Sequence, residues 1–132
     1  MQIGLVGLGR MGANMARRLM RGGHRVVVHD RAADRIDALV AEGAVGASSI
    51  PELAARLEPP RAVWVMVPAG DATEQTIAAL GATLEGGDTV IDGGNSFFKD
   101  DVRRARVLAE RRIRHLDAGT SGGVWGSSAA TA

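Results

Sequence analysis

"GLVGLGRMGANMARRLMRGG", residues 4–23, carries three glycines, Gly7, Gly9 and Gly12, in the spacing G-x-G-x-x-G. Glycine destabilises the interior of regular structure, so such a cluster indicates a backbone conformation or a close approach that a Cβ atom would prevent. The cluster therefore marks a special turn, and the sequence on either side of it predicts what the turn connects.

The residues flanking this cluster predict a strand before it and a helix after it. Residues 2–6 form a short apolar run, as expected for a buried strand. Residues 10–21 predict a helix in which Met11, Met15 and Leu19 share one face. The glycines therefore lie in a strand–turn–helix unit.

The rest of the sequence alternates short apolar runs with helical patterns. We predict further strands at residues 25–30, 44–47, 62–67, 88–92 and 113–117, and helices at residues 33–42, 49–57, 71–84 and 96–112. Parallel neighbouring strands need helical crossovers, so this alternation predicts an α/β protein. We expect a Rossmann-type doubly wound, mainly parallel six-stranded sheet with helices on both faces.

Composition excludes several classes of protein. The chain has 132 residues, 45% of them apolar, with a net charge of +1 and no cysteine. A buried core is therefore expected, whereas disulfides, thiolate catalysis and cysteine-bound metals are excluded. Net charge gives no argument for nucleic-acid or membrane partners. No apolar run approaches the roughly 18 residues that span a bilayer, and the first residues lack a signal-peptide pattern, so we expect a cytoplasmic protein.

In the strand–turn–helix context, the glycine spacing predicts a dinucleotide site. Gly7 permits the turn out of the strand, Gly9 lets a pyrophosphate approach the backbone, and Gly12 lets the helix lie close to the sheet. The N–H groups at the start of the helix would receive the phosphates. The alternative is a tight turn without a ligand. The cofactor-binding residues predicted here are Gly7, Leu8, Gly9, Arg10, Met11 and Gly12.

An acidic residue at the end of the second predicted strand supports the same site. Asp30 lies 18 residues after Gly12, close to the spacing at which a carboxylate binds the ribose hydroxyls of NAD. Such a carboxylate repels the 2′-phosphate of NADP, whereas the adjacent Arg31 could bind that phosphate. We favour NAD and leave NADP open. The alternative for both residues is a solvated strand end.

"MVPAG", residues 66–70, ends the fourth predicted strand. In a doubly wound sheet this strand neighbours the first, and ligands bind beyond the carboxyl ends of the two strands. The backbone of Val67, Pro68 and Ala69 would therefore lie beside the ribose on the nicotinamide side.

Two further segments carry a resemblance to a known family. They are "DGGNSFFKDD" at residues 92–101 and "DAGTSGGVWG" at residues 117–126. Together with "GLGRMG" they resemble the cofactor domain of decarboxylating 6-phosphogluconate dehydrogenase, most closely its short bacterial, often NAD-linked type. Related β-hydroxyacid dehydrogenases share the glycine turn and "SGG", whereas "DGGNS" is characteristic of the phosphogluconate enzymes.

The resemblance covers residues 1–126 and implies roles for four further residues. Asn95 would lie between nicotinamide and substrate, while Ser121, Gly122 and Gly123 would bind the sugar acid. The implied activity is oxidation of 6-phosphogluconate by NAD(P), with loss of CO₂ to give ribulose 5-phosphate in the pentose phosphate pathway.

The family's lysine base, its glutamate acid and its helical substrate and dimerisation domain lie beyond this chain. We therefore expect no complete catalytic set here, and cofactor binding without turnover. One alternative function is a non-catalytic NAD-binding or redox-sensing module, and another is a β-hydroxyacid dehydrogenase with a different substrate.

Other polar residues give weaker signals. Lys99 is followed by the carboxylates of Asp100 and Asp101, which favour its charged form and make it a poor base. The three histidines show no metal or triad spacing, so we predict no metal site. We expect residues 127–132 to be a disordered or cloning-derived tail. Val124 and Trp125 near it are candidates for self-association through exposed apolar surface.

Overall fold

A computed structural model of the chain describes residues 2–67, 71–93 and 106–117. Its sheet has six strands in the order β3-β2-β1-β4-β5-β6, and every neighbouring pair is parallel. The predicted doubly wound α/β class is confirmed. The strands are β1 (Gln2–Val6), β2 (Arg25–His29), β3 (Val45–Gly46), β4 (Ala62–Val65), β5 (Thr89–Asp92) and β6 (Arg114–Asp117).

Of the helix predicted at residues 96–112, the part before residue 106 lies outside the described residues. The described helices follow the predicted alternation. They are α1 (Arg10–Arg21), α2 (Ala33–Val40), α3 (Ile50–Ala55) and α4 (Asp71–Thr83), together with helical residues 106–110. Helix α3 begins as its capping pattern predicts, because the Ser49 hydroxyl accepts the backbone N–H of Glu52 at 3.1 Å. In the described part of the chain, no helix has the length and apolar character needed to cross a membrane.

Two apolar clusters cover opposite faces of the sheet. The first joins β4 and β5 to α4 and the helical residues 106–110, with Leu80 and Leu108 fully buried. The second joins β1 and β2 to α1 and α2 through Leu5 and Leu39. Because β1 pairs with both β2 and β4, the direction of winding reverses between β1 and β4. In such sheets this is where a ligand crevice forms.

Helices α1 and α2 each expose an apolar side chain near one end. Met11 is 71% exposed, because the side of α1 that meets the sheet runs through the buried residues Gly12 and Ala16. Val40 is 44% exposed, because α2 ends there and Leu39 carries the buried contact. The four-residue spacing of Met11, Met15 and Leu19 correctly predicted helix α1. Which side chains of this helix are buried depends on how closely the helix approaches the sheet.

Strand β4 and helix α2 are each two residues shorter than predicted. Strand β4 ends at Val65 rather than at residue 67, and the chain turns away at Met66, whose N–H still donates to Val6 O at 2.7 Å. Helix α2 ends at Val40 rather than at residue 42, with Gly43 after it at a φ of +113°. Both differences lie at element ends, where hydrogen bonding to neighbouring segments decides the last residue.

A buried carboxylate joins several segments at the amino-terminal end of the sheet. The Asp88 side chain is 1% exposed. The carboxylate accepts the backbone N–H of Arg61 at 2.6 Å and that of Glu85 at 2.8 Å. The main-chain carbonyl of Asp88 accepts the N–H of Arg114 at 2.9 Å. Asp88 thereby fixes the starts of β4 and β6 and the segment after α4, far from the carboxyl ends of the strands.

Arg112 follows the helical residues 106–110 with a φ of 61°, a conformation that glycine adopts with less strain. Its N–H donates to Ala109 O at 2.9 Å and the next N–H, of Ile113, donates to Leu108 O at 3.0 Å. These bonds form the usual helix-ending motif, in which glycine is the preferred residue.

Replacing Arg112 with glycine is therefore expected to stabilise the chain. We expect Arg112→Gly to raise the free energy of unfolding by about 0.5–1 kcal/mol, measured by urea denaturation. Ala109→Gly, at an exposed position within the helical residues 106–110, is the matched control and should lower it by about 1 kcal/mol. A loss of stability in both variants would contradict the assignment of strain to Arg112.

Candidate functional site

The glycine turn follows β1 directly and lies against β4. Gly7 has a φ of +100°, and its N–H donates to His29 O at 2.9 Å. A Cβ atom on Gly7 would lie 2.6 Å from the carbonyl carbon and 2.7 Å from the oxygen of Met66. The chain can therefore leave β1 along this path only with glycine at this position.

The other two glycines of the turn serve different purposes. A Cβ atom on Gly12 would collide with the carbonyl oxygen of Gly7, so α1 lies directly on the turn. A Cβ atom on Gly9 would meet no atom within 4 Å. Gly7 and Gly12 are thus required by packing within the chain, whereas Gly9 leaves open space beside the backbone.

Helix α1 starts at this open space without a side-chain cap. Gly9 is the N-cap residue and provides no capping side chain, and the first turn contains no acidic residue. The first helical hydrogen bond runs from the N–H of Ala13 to Gly9 O at 2.8 Å. The N–H groups before Ala13 therefore have no partner within the helix, and they carry the positive end of the helix dipole. This arrangement favours an anionic group such as a phosphate.

Asp30 lies beside the turn and is bonded to it. Its carboxylate accepts the N–H of Leu8 at 2.6 Å and the N–H of Ala32 at 2.8 Å. Its side chain is 11% exposed, with Arg35 Nη1 3.7 Å away. A carboxylate offers about four acceptor positions, so capacity for ligand hydroxyls remains. The structural bond to Leu8 was not foreseen, because spacing along the sequence does not show that Asp30 reaches back to the turn.

An open pocket of about 490 Å³ adjoins the turn on the side of α1 and α2. Its lining residues are Leu8, Gly9, Arg10, Ala13, Asn14, Arg17 and Arg35. The three arginines make the pocket cationic. Sequence reasoning missed Arg17 and Arg35, and no local pattern would have revealed them, since they are two of many surface arginines.

Arg17 is paired with Glu42, which lies two residues after the end of α2. Its guanidinium donates to both carboxylate oxygens of Glu42, at 2.9 and 3.0 Å, and this hydrogen bonding lowers the pKa of Glu42. Arg35, by contrast, is 55% exposed. Arg35 is therefore the more available of these two cations for a ligand near Asp30.

Arg31 is held away from this pocket. Its Nη2 donates to Gln75 Oε1 of α4 at 2.9 Å, and it is absent from the residues that line the pocket. The Arg31 side chain therefore lies across the end of the sheet towards α4, while Arg35 lies beside Asp30.

The structure brings some of the predicted site residues together. Val67 joins the glycine turn, since its backbone nitrogen would be 2.9 Å from a Cβ atom on Gly7. Met11, on the first turn of α1, is exposed beside Gly9. Other predicted residues lie outside the described part of the chain: Pro68, Ala69, Asn95, Lys99, Ser121, Gly122, Gly123, Val124, Trp125 and the tail at 127–132.

The described histidines and carboxylates do not form a metal centre. Among residues 2–67, 71–93 and 106–117, no three His, Cys, Asp or Glu side chains are grouped so that they could hold an ion. His29 bonds instead to Ala47 O, at 2.9 Å through Nδ1. The described chemistry of the site thus consists of backbone N–H groups, Asp30 and arginines.

Comparison with known proteins places this geometry among dehydrogenases. The family model described as the NAD binding domain of 6-phosphogluconate dehydrogenase matches residues 2–132. The NAD(+)-dependent, decarboxylating 6-phosphogluconate dehydrogenase of Haloferax volcanii is 44% identical over 127 residues. The NADP(+)-dependent enzyme of Bacillus subtilis is 41% identical over 130 residues.

A solved structure shows the same likeness in three dimensions. The 6-phosphogluconate dehydrogenase of Plasmodium falciparum, solved with NADP+ and with 6-phosphogluconate, superposes with a TM-score of 0.83 at 30% identity. The match covers 96% of this chain and 28% of that one. Matches to the Haloferax and Bacillus proteins each cover 96% of this chain, but 42% and 28% of those proteins. The chain thus spans less than half the length of these relatives.

Proposed function

We propose a function from one premise: this chain belongs to the family of NAD-binding domains of 6-phosphogluconate dehydrogenase. The chain binds a nicotinamide dinucleotide at the glycine turn, with the diphosphate over Gly9 and the first N–H groups of α1. One observation carries this proposal. Backbone atoms occupy the space beside Gly7 and Gly12 where a Cβ would lie, whereas the space beside Gly9 is open.

The substrate side of the proposal rests on the family. In a longer protein, Asn95 would contact both nicotinamide and 6-phosphogluconate, and Ser121, Gly122 and Gly123 would bind the sugar acid. The reaction is oxidation and decarboxylation to ribulose 5-phosphate in the cytoplasm, with reduction of the dinucleotide. For this chain itself the proposal is limited to binding of the cofactor. Self-association through Val124 and Trp125 also stays a prediction.

NAD is the proposed cofactor in preference to NADP. The Asp30 carboxylate is fixed at the turn by Leu8 and Ala32, where it would accept the ribose hydroxyls and repel a 2′-phosphate. Arg35, 3.7 Å from Asp30, opposes that repulsion. Both preferences occur among relatives, as the names of the Haloferax and Bacillus enzymes state.

Calorimetric titration of the chain with NAD and NADP tests both the site and the preference. We expect NAD to bind about ten-fold more tightly than NADP, a difference of about 1.4 kcal/mol. In Asp30→Ala the affinity for NAD should fall about ten-fold and the preference should disappear, because the ribose acceptor and the repulsive charge are both lost.

Arg35→Ala is the matched variant on the same pocket. It should weaken NADP binding more than NAD binding, since it removes a cation that attracts the extra phosphate. Tighter binding of NADP than NAD by the unaltered chain would refute the proposed preference. Absence of binding by either dinucleotide would refute the proposed site.

A further inference from the structure

Met66 forms the floor of the glycine turn. Its N–H donates to Val6 O at 2.7 Å, which keeps it beside β1. Its carbonyl group occupies the space next to Gly7, and its Cβ lies 3.6 Å from where a Cβ on Gly12 would be. Any displacement of Met66 would therefore change the packing around both Gly7 and Gly12.

The side chain of Met66 extends to the carboxyl end of β5. A Cβ atom on Gly93 would collide with Met66 Sδ and with Trp64 Nε1. The indole N–H of Trp64 donates to Met66 Sδ at 2.9 Å, which fixes the direction of the thioether. Trp64 and Met66 thus form a layer on which the backbone of Gly93 rests, and we call these two residues the spacer.

A hydrogen bond to β4 fixes the backbone of Gly93 next to the spacer. Its N–H donates to Val65 O at 2.8 Å, which continues the pairing of β4 with β5. The two side chains occupy the space that a Cβ on Gly93 would need, so they limit how closely the Gly93 backbone can approach the face of the sheet that carries α1. Asn95, to which the proposed function gives a role, follows Gly93 by two residues in the sequence.

A dinucleotide bound at this crevice would have its adenosine half towards β2 and its nicotinamide half towards β4 and β5, because the two mononucleotide halves bind on either side of the switch point. Resting on the proposed function, we infer that Trp64 and Met66 are positioning residues that set the backbone at Gly93 relative to the glycine turn, and so the site of the nicotinamide half. Trp64 acts through Met66, by orienting its sulfur.

Two conservative variants of this chain test the inference. Met66→Leu removes the sulfur, and Trp64→Phe removes the indole N–H and shortens the ring. Met20→Leu is the matched control, since Met20 packs in the same apolar cluster, in the last turns of α1. The residual dipolar coupling of the Gly93 N–H bond, which reports its orientation and not the nearby ring current, should change in both spacer variants and stay the same in the control. An unchanged coupling in both variants would overturn the inference, whatever the ligand results.

Affinity for NAD is then compared with affinity for ADP-ribose, which lacks nicotinamide. We expect the ratio of the two affinities to fall about five-fold in Met66→Leu and in Trp64→Phe, corresponding to about 1 kcal/mol, with ADP-ribose affinity nearly unchanged. A merely structural role would lower both affinities together and leave the ratio constant, which would overturn the inference. Failure of the unaltered chain to bind either ligand would instead overturn the proposed function, and this inference with it.

Discussion

Gly12→Ala is expected to destabilise the chain by about 3 kcal/mol or more, at the upper end of what overpacking costs. The added Cβ would collide with the carbonyl oxygen of Gly7, a backbone atom. No side-chain rotamer can relieve that collision. Helix α1 would have to move outward, and with it Ala16, which is fully buried in the cluster beneath the helix. Urea denaturation of the variant and the unaltered chain measures the effect.

Gly9→Ala is the matched control, since it adds the same methyl group three residues earlier. Gly9 has a φ of −65°, which alanine adopts without strain, and its Cβ would meet nothing within 4 Å. The loss of stability should stay below about 1 kcal/mol, the difference between glycine and alanine at a helix N-cap. The affinity for NAD should nevertheless fall at least about ten-fold, because the methyl group fills the space where the diphosphate would approach.

The two variants thus separate the fold from the site. If Gly12→Ala were as stable as the unaltered chain, the close contact between α1 and the turn would be refuted. If Gly9→Ala bound NAD with unchanged affinity, the diphosphate would have to lie elsewhere.

Asp88→Ala should cost about 3–4 kcal/mol of unfolding free energy. The carboxylate is almost fully buried and accepts the N–H groups of Arg61 and Glu85. Hydrogen bonds to a charged group contribute about 1.5–3 kcal/mol each, and donors left buried without a partner add to the loss. Arg61 already has a buried Nε without a hydrogen-bond partner among the described residues, so local rearrangement offers little compensation.

Two controls sharpen this measurement. Asp88→Asn keeps the shape and one acceptor oxygen but replaces the other with an NH₂ group, so it should lose about half as much stability. Asp37→Ala, on the exposed side of α2, should change stability by less than about 0.5 kcal/mol. Folded Asp88→Asn should bind NAD normally, because Asp88 lies at the amino-terminal end of the sheet. Equal stability of Asp88→Ala and Asp37→Ala would contradict the role of this carboxylate.

Local patterns determined the sequence of elements in this protein. The turn with Gly7, Gly9 and Gly12, the cap at Ser49 and the apolar runs of the strands each depend on residues close together in the chain. Strand and helix periods act over a few residues, so they are readable from the sequence. The same patterns predicted the sheet class, and the motifs at residues 7–12, 92–101 and 117–126 carried the resemblance to the family; both predictions are confirmed.

Tertiary structure decided which side chains meet. Asp30 reaches back 22 positions to Leu8, Trp64 and Met66 meet Gly93, and Arg35 enters the pocket beside the turn. Met11 faces outward although its spacing suited the buried face. Such contacts arise only once parallel strands lie about 4.8 Å apart and a helix packs to a particular depth. These distances follow from the packing of the whole sheet, and no short stretch of the sequence encodes them.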